Sequence, residues 1–396
     1  MIKNLFVSQQ PILNNKGNVF GYELFSRPYK NKLTPEEYTE ATFEVIKSLL
    51  SSKDLKEFPV FINTYMAEFD DNILKVLSTF SNRLIFEIDF KEPNFFGKIK
   101  EFKNYHFQVA IDNFRIDKLH EISDILKEVE YIKINSQFIK NKTNIQSLIN
   151  DLKKYPVKII VDKVEEREDF EKFKNLNVDL FQGYFFAKPK LKEEKTITPA
   201  KYKILMLLEM ILKEEDIDEI ENFIKTEPEI YLKLLQYLNS AFFSLKSKVS
   251  SFKMAFSYLG YEGLKNWIII ILYLKDFSEI PNRNPLIKTA INRGIFMEKL
   301  AQNFDKNLSE DAYLTGLISL LYIPLGCNIE TLIQNLNLPE NISNALLKRE
   351  GILGKLLDLI EAVEMKDLGK IDELINELNL NLEDILNILV NDVITA

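Results

Sequence analysis

Polar side chains stand near the ends of short apolar runs throughout the first half of the chain. Carboxylate and amide oxygens are the ligands that magnesium or calcium takes in proteins. A single polar residue at a strand end means little, because any strand that reaches the surface meets one. Recurrence over seven elements favours a shared site, with separate surface positions as the alternative. These residues are Glu23, Asn63, Glu87, Asp112, Lys133, Glu165 and Gln182.

The elements that must position these residues alternate between two types. Between the apolar runs lie segments whose apolar residues recur at helical spacing, such as 69–80 and 145–154. This alternation predicts βαβ units and a mainly parallel sheet. An N-terminal pair at 5–7 and 19–25 brings the total to about eight strands, enough to close an α/β barrel of the TIM type, whose strand ends meet on one face. Periodicity alone also allows an open doubly wound sheet. The remaining runs are 60–62, 84–86, 109–111, 131–134, 158–161 and 180–181.

The second half of the chain changes period. After a lysine- and glutamate-rich stretch at 190–195, apolar residues recur at helical spacing, as at 204–212 and 230–238. The chain has 396 residues, which is more than one ordinary core accommodates. We therefore predict two domains, a barrel over residues 1–195 and an all-α domain over residues 196–396.

Composition limits the classes of function. The net charge is −8 and basic residues are interspersed with acidic ones, so the chain carries no electrostatic footprint for duplex nucleic acid. The most apolar run, 267–272, is far shorter than the roughly 20 residues that span a bilayer, so no membrane segment is expected. A single cysteine, Cys327, and an N-terminus without a signal-peptide pattern indicate a cytoplasmic protein.

An ordered series of motifs in the first half resembles the EAL domain, a family of cyclic di-GMP phosphodiesterases. The series opens with Gln-Pro-Ile and then Gly-Tyr-Glu-Leu-Phe-Ser-Arg, and it closes with Gln-Gly-Tyr-Phe-Phe-Ala-Lys-Pro. The order and the barrel-unit spacing carry the resemblance, because each motif alone is weak. The motifs lie at 10–12, 21–27, 62–63, 86–89, 111–114, 131–135, 161–165 and 182–189.

The resemblance implies a role for each of these positions. The metal ligands would be Glu23, Asn63, Glu87 and Asp112, and the catalytic positions would be Lys133 and Glu165. Contacts to the nucleotide would come from Gln10, Arg27, Lys163 and Gln182, with the cations supplying charge to the diester. The alternative is that these cations are ordinary surface residues around a vestigial pocket.

Departures from the EAL pattern bear on the chemistry. EAL domains use two divalent cations to bind the scissile phosphate and generate hydroxide, which requires dense negative charge. Here Phe90, Asn113 and Asn135 replace carboxylates of the family pattern, and Asp162 with Lys163 replaces its Glu-Gly pair. Each unit charge at about 4 Å is worth roughly 4 kcal/mol at an effective dielectric of about 20. We therefore expect at most one magnesium or other divalent cation, and absent or very slow hydrolysis.

The second half resembles the HDOD domain, a relative of the HD phosphohydrolases, through motifs at 226–230, 234–243, 255–260 and 263–264. A metal-binding relative carries a His-Asp pair where this chain has Ser319 and Leu320, and no histidine follows His120. We therefore expect no metal centre in this half. His106 and His120 are predicted to be surface residues, Cys327 a small buried hydrophobe, and Trp267 part of the helical core.

These observations predict a signalling protein whose barrel binds, or once bound, cyclic di-GMP and whose helical half binds protein partners. The first alternative is an active magnesium-dependent cyclic di-GMP phosphodiesterase. The second is a pair of protein-binding platforms without nucleotide. The EAL resemblance further implies a homodimer through residues 114–124.

Overall fold

The N-terminal half of the computed structural model is a closed eight-stranded barrel, so the predicted barrel is confirmed and the chain does not form an open sheet. The structure describes residues 5–28, 33–51, 57–64, 67–92, 94–140, 144–187, 197–240, 248–274 and 281–393. The strands are β1 Leu5–Asn14, β2 Val19–Pro28, β3 Val60–Asn63, β4 Leu84–Asp89, β5 Gln108–Asp112, β6 Tyr131–Asn135, β7 Lys158–Asp162 and β8 Leu180–Gln182. Strand β1 runs antiparallel to both of its neighbours, whereas β2 to β8 pair in parallel.

Helices cover the outside of the barrel, as the helical spacing between the strands predicts. Helix α2 shows how the sequence sets a boundary: the carboxylate of Asp70 accepts a hydrogen bond from the backbone N–H of Ile73 at 2.8 Å, which caps the first turn. The helix then buries Leu74 and Leu77 against the strands. The barrel helices are α1 Pro35–Ser51, α2 Asp71–Ser78, α3 Phe95–Asn104, α4 Ser136–Ile139, α5 Ile145–Leu152 and α6 Arg167–Asn175.

The inside of the barrel is built in two layers. The lower layer is a small apolar cluster of Ile12, Phe61, Ile85, Ala110, Tyr131, Ile160 and Leu180, separate from the main core. Side chains two residues apart on a strand point to the same face. The next inward position on β3 to β8 is polar in every case, which forms an upper layer of Asn63, Glu87, Asp112, Lys133, Asp162 and Gln182.

The second half is helical, as its period predicts. Helix α10 has a break at Gly260, where φ is 62°, and then buries Trp267 as predicted. The predicted boundary between 195 and 196 lies outside the described residues. The helices are α7 Pro199–Leu212, α8 Ile217–Lys225, α9 Pro228–Leu238, α10 Phe252–Tyr273, α11 Pro285–Ala301, α12 Leu308–Ile318, α13 Tyr322–Leu325, α14 Ile329–Leu336, α15 Glu340–Lys348, α16 Gly351–Glu364, α17 Leu368–Glu377 and α18 Leu382–Ile388.

The two halves touch along the first strand of the barrel. Helices α16 and α18 contact β1, and α11 contacts the 3-10 turn Tyr184–Ala187 that follows β8. The residues just beyond α16 therefore lie close to the barrel interior. Among the described residues, none of the helices combines the length and the apolar character that crossing a bilayer requires.

Candidate functional site

The centre of the candidate site is a buried lysine held between two glutamates. The ammonium of Lys133 lies 2.9 and 3.1 Å from the two carboxylate oxygens of Glu87 and 3.4 Å from Oε1 of Glu23. All three side chains are almost inaccessible to solvent. They come from β6, β4 and β2, so the contact exists only because the barrel closes. The predicted convergence of these residues is therefore observed.

The neighbouring ligand candidates belong to the same layer. Asn63 pairs with Glu87 in the register of β3 and β4, which places the two residues on the same face. Asp112 at the end of β5 is buried and interacts electrostatically with Lys133 and Glu23. The carboxylates of this cluster outnumber its cations, and a divalent cation would correct that imbalance.

Burial and the charges of neighbouring groups together shift the pKa values of this cluster. Burial raises the pKa of Glu87 well above its usual range, with Glu23 and Asp112 adding to the effect and Lys133 opposing it. Burial likewise raises the pKa of Asp112. Burial also disfavours the charged form of Glu23, but Lys133, Lys366 and a hydrogen bond from Gln182 outweigh it and lower its pKa. Burial opposes the charge on Lys133, yet the surrounding carboxylates raise its pKa well above the usual value.

Gln182 joins β8 to this cluster. Its side-chain N–H groups donate to Oε1 of Gln10 at 3.0 Å and to Oε2 of Glu23. Its own amide oxygen is buried and has no hydrogen-bond partner among the described residues. A buried acceptor without a partner costs free energy, so this oxygen is a candidate contact for a ligand or a cation.

Asn113 occupies one of the positions where the sequence departs from the EAL pattern. Its side-chain N–H donates to Oδ2 of Asp89 at 2.8 Å and to Oδ2 of Asp112 at 3.2 Å. Its backbone N–H donates to Oδ1 of Asp112 at 2.8 Å, and its φ of 51° places it in the left-handed region. An aspartate could not donate these side-chain bonds, so the amide stabilises two carboxylates that a cation would otherwise stabilise. Asp89 lies within the motif at 86–89, and the sequence did not predict it as a site residue.

The other departures lie at the edge of the cluster. Asn135 caps α4, with its side-chain oxygen accepting from the backbone N–H of Gln137 at 2.9 Å. Phe90 packs edge-on against Phe95 and Phe114. Asp162 lies in the polar layer and interacts electrostatically with Asp112 and Lys133.

Two predicted functional residues, Lys163 and Glu165, lie further from the centre. Lys163 is exposed with a φ of 57°, and its carbonyl accepts from the hydroxyl of Ser136 at 2.7 Å. Glu165 is exposed in the loop after β7. The side chain of Arg27 lies outside the described part of the structure. Lys163 and Glu165 therefore stand at the rim of the candidate site.

A lysine from the helical half reaches the same cluster and was not predicted from the sequence. The ammonium of Lys366 lies 3.5 Å from Oε2 of Glu23 and 4.3 Å from the centroid of the Phe25 ring. Lys366 follows α16 directly, has a φ of 60°, and is separated from Glu23 by 343 positions. No local pattern could have identified it, because the contact depends on how the two halves pack.

The charge of this cluster favours a metal ion, but the placement of its side chains does not. The oxygen donors and the surplus of buried carboxylates fit one divalent cation. Within the part of the chain that the structure describes, however, no three His, Cys, Asp or Glu residues are grouped as a metal would require. The ammonium groups of Lys133 and Lys366 lie beside the carboxylates instead. Cation binding would therefore have to compete with two lysines.

The helical half carries a buried ion-pair network around Arg293, which also reaches Ser319. Arg293 is buried, and its guanidinium donates to Ser319 at 3.1 Å, to Glu361 at 2.9 Å, and to Glu364 at 2.9 and 2.7 Å. Leu320 is buried beside Ser319. His106 and His120 are exposed on the barrel, as predicted, and Cys327 is partly buried.

Comparison with family models shows the class of each half. The model of the EAL domain matches residues 2–189, and the model of the HDOD domain matches residues 200–324. The chain therefore carries an EAL domain followed by an HDOD domain.

Two relatives match along nearly the whole chain. The first is the uncharacterized protein YuxH of Bacillus subtilis, 25% identical over 396 residues, which covers 95% of this chain and 94% of YuxH. The second is the cyclic di-GMP phosphodiesterase CdgJ of Vibrio cholerae, 26% identical over 392 residues, covering 96% of this chain and 89% of CdgJ.

Solved EAL structures resemble the barrel region. One is a standalone versatile EAL protein from Vibrio cholerae in its c-di-GMP bound form, 21% identical, with a TM-score of 0.36. The match covers 46% of this chain and 91% of the solved EAL protein.

Proposed function

We propose that this chain is a cyclic di-GMP signalling protein whose barrel binds the dinucleotide, hydrolyses it slowly or not at all, and passes the bound state to protein partners through the HDOD half. The EAL and HDOD domains and the relationship to a cyclic di-GMP phosphodiesterase support the general assignment to cyclic di-GMP signalling. The preference for binding over hydrolysis depends on the polar layer of the barrel.

The observation that carries this preference is the pair of hydrogen bonds from the Asn113 amide to Asp89 and Asp112. Two-metal hydrolysis needs both cations close to the scissile phosphate. The Asn113 amide lacks the negative charge that an aspartate would carry at this position. Its two donated hydrogen bonds also occupy carboxylate oxygens of Asp89 and Asp112. A second cation would have to break these bonds, and it would meet the charges of Lys133 and Lys366 nearby.

A single divalent cation is compatible with the remaining donors. Glu23, Asn63, Glu87 and Asp112 would hold it, and it would supply positive charge to one phosphate oxygen. Gln10 and Gln182 would contact the nucleotide from β1 and β8, and Lys163 at the rim would attract the second phosphate. Lys133 would keep its proton and stabilise the carboxylates that face the ligand.

The test is calorimetric titration of the full chain with cyclic di-GMP, with and without magnesium, followed by chromatography of the incubated nucleotide. We expect binding and little linear dinucleotide. A Gln182→Ala variant should bind more weakly, and an exposed-site control, Lys127→Gln, should bind as the unmodified chain does. Turnover of about 1 per second or more would contradict the proposal, since that is the ordinary range for enzymes.

The second candidate is an active magnesium-dependent cyclic di-GMP phosphodiesterase. The similarity to CdgJ over 96% of this chain favours it, as does the retention of Glu23, Glu87, Asp112 and Lys133. The same chromatography distinguishes the two candidates, because only the enzyme accumulates the linear product. Absence of any binding would instead favour the reading in which both domains are protein-binding platforms.

A further inference from the structure

A cavity lies between the two halves, apart from the polar layer of the barrel. Its volume is about 1060 Å³, and its walls come from the β1–β2 turn, α6 and the turn after β8 on one side and from α11, α15, α16 and neighbouring segments on the other. Ligand pockets of roughly 300–1,000 Å³ occur preferentially at domain interfaces. This cavity is therefore large enough for a nucleotide-sized molecule.

The charge of this cavity is opposite to the charge of the whole protein. Six basic side chains line it, namely Lys16, Arg167, Lys174, Lys201, Arg293 and Arg349. Among the described lining residues three are acidic, Glu171, Glu330 and Glu361, and Glu364 and Asp358 pair with Arg293 and Arg349. The full chain has a net charge of −8. A local excess of cations in an acidic protein attracts anions and raises their concentration at that point.

Part of this positive charge has no protein partner. The Nε atom of Arg167 and one terminal nitrogen, NH1, of Arg349 are buried and make no hydrogen bond within the described residues. Arg349 is paired with Asp358 and Glu361, and it shares Glu361 with Arg293, so the open group on Arg349 is the NH1 donor. Buried donors without acceptors cost free energy, which a bound anion would recover.

The two arginines stand on walls from different halves of the chain. Arg167 begins α6 of the barrel, and Arg349 ends α15 of the helical half with a φ of 59°. A guanidinium presents a fork of donors that matches phosphate oxygens. Aromatic rings complete the walls: Tyr184 and Phe186 stack with centroids 5.8 Å apart, and Tyr322 lies on the helical side. A planar ring bearing a phosphate fits this combination of groups.

We propose that this cavity is a binding site for a phosphate-bearing small molecule of nucleotide size, held by Arg167 from the barrel and Arg349 from the helical half. The ligand would make contacts to both domains at once. The cavity is distinct in space from the cluster in the barrel, since none of the cavity residues belongs to the polar layer.

The test uses GMP as the probe, with guanosine as the probe that lacks phosphate, in calorimetric titrations of the full chain. We expect GMP to bind at micromolar to millimolar concentration and guanosine to bind much more weakly. Arg349→Gln and Arg167→Gln should each weaken GMP binding by about tenfold, the loss of one charge-assisted hydrogen-bonding group. Lys127→Gln, which removes an exposed charge on the barrel far from these walls in sequence, should bind GMP unchanged.

A second measurement guards against a folding defect in either variant. Amide hydrogen exchange should show that GMP protects α6 and residues 349–351 in the unmodified chain. Equal binding of guanosine, or GMP binding that both arginine variants retain, would overturn the proposal. So would the absence of GMP binding at millimolar concentration together with unchanged exchange in these segments.

Discussion

The ammonium of Lys366, from the helical half, lies 3.5 Å from a carboxylate oxygen of Glu23, the glutamate at the centre of the EAL signature. This contact joins the two domains at the buried cluster of Glu23, Glu87 and Lys133. The side chain of Lys366 is 24% exposed, so water screens its ion pair with Glu23 only in part. The helical half therefore contributes a charge to the candidate site of the barrel.

Removal of this charge should strengthen cation binding. Lys366→Asn keeps a residue that tolerates the left-handed backbone and leaves Glu23 with Lys133 alone. We expect manganese, titrated by electron paramagnetic resonance, to bind about tenfold more tightly, a fraction of the roughly 4 kcal/mol for a nearby unit charge because the pair is partly screened. Lys370→Asn, an exposed lysine on the next helix, is the control. Equal affinities for Lys366→Asn and the unmodified chain would show that the contact does not compete with the metal.

Loss of Lys133 should destabilise the barrel strongly. Lys133→Met leaves Glu87 buried without a cation and Glu23 with Lys366 alone, which costs about 3–5 kcal/mol in the free energy of unfolding. Adding Glu87→Gln should recover much of this loss, because one uncompensated charge disappears. Urea unfolding of the single and double variants gives both values. A loss below about 1 kcal/mol for Lys133→Met would mean that the carboxylates simply take up protons.

Asn113 and Asn135 both replace a carboxylate of the EAL pattern, and they should respond differently to an added charge. Asn113→Asp loses two donated hydrogen bonds and places a third carboxylate beside Asp89 and Asp112, so it should lower the melting temperature without metal and regain it with manganese. Asn135→Asp should leave the melting temperature almost unchanged, since aspartate caps a helix about as well as asparagine. Thermal unfolding with and without manganese tests both. Equal responses of the two variants would contradict the roles given to them here.

Restored charge should also restore some chemistry. The triple variant Asn113→Asp, Asn135→Asp and Lys163→Gly returns two carboxylates and removes a cation from the rim. We expect it to cleave cyclic di-GMP measurably faster than the unmodified chain. Phe90 and Arg115, which also depart from the EAL pattern, should limit the recovery. Product formation followed by chromatography is the measurement, and Lys127→Gly serves as a charge-matched control for Lys163→Gly. No gain in rate together with tighter manganese binding would show that charge alone does not limit hydrolysis.

The contact between the halves should weaken in alkali. Burial raises the pKa of Tyr184 well above its usual value of about 10, and the nearby carboxylate of Glu364, to which its hydroxyl is hydrogen-bonded, adds to the shift. Above pH 10 the unfolded chain therefore releases this proton while the folded chain retains it, so stability falls as pH rises. The difference in unfolding free energy between the unmodified chain and Tyr184→Phe should shift by up to about 1.4 kcal/mol per pH unit. A constant difference from pH 8 to 11 would exclude the effect.

The sequence predicted the barrel and much of its polar layer for one physical reason. The carboxyl ends of parallel barrel strands meet on one face, so polar residues predicted at strand ends, such as Glu87 and Lys133, are expected to converge. The ordered EAL motifs then identified which polar positions belong together. Both signals are local or follow the chain order.

What the sequence did not predict depends on contacts between distant segments. Lys366 reaches Glu23 only because α16 packs against β1. The sequence did not predict that Asn135 caps a helix, because the short helix α4 was not expected directly after β6. Glu165 was placed with the strand-end residues, but β7 ends at Asp162 and Glu165 follows in the loop, where it is exposed.

Arg293 holds Glu364 at the last residue of α16, and Lys366 stands only two positions further along the chain. Two residues of extended backbone span at most about 7 Å. The Arg293–Glu364 ion pair and the Lys366–Glu23 contact are therefore joined by a very short piece of backbone. Release of Glu364 from Arg293 is expected to change the position of the Lys366 ammonium relative to Glu23, and Glu364→Gln is a minimal change that weakens this ion pair.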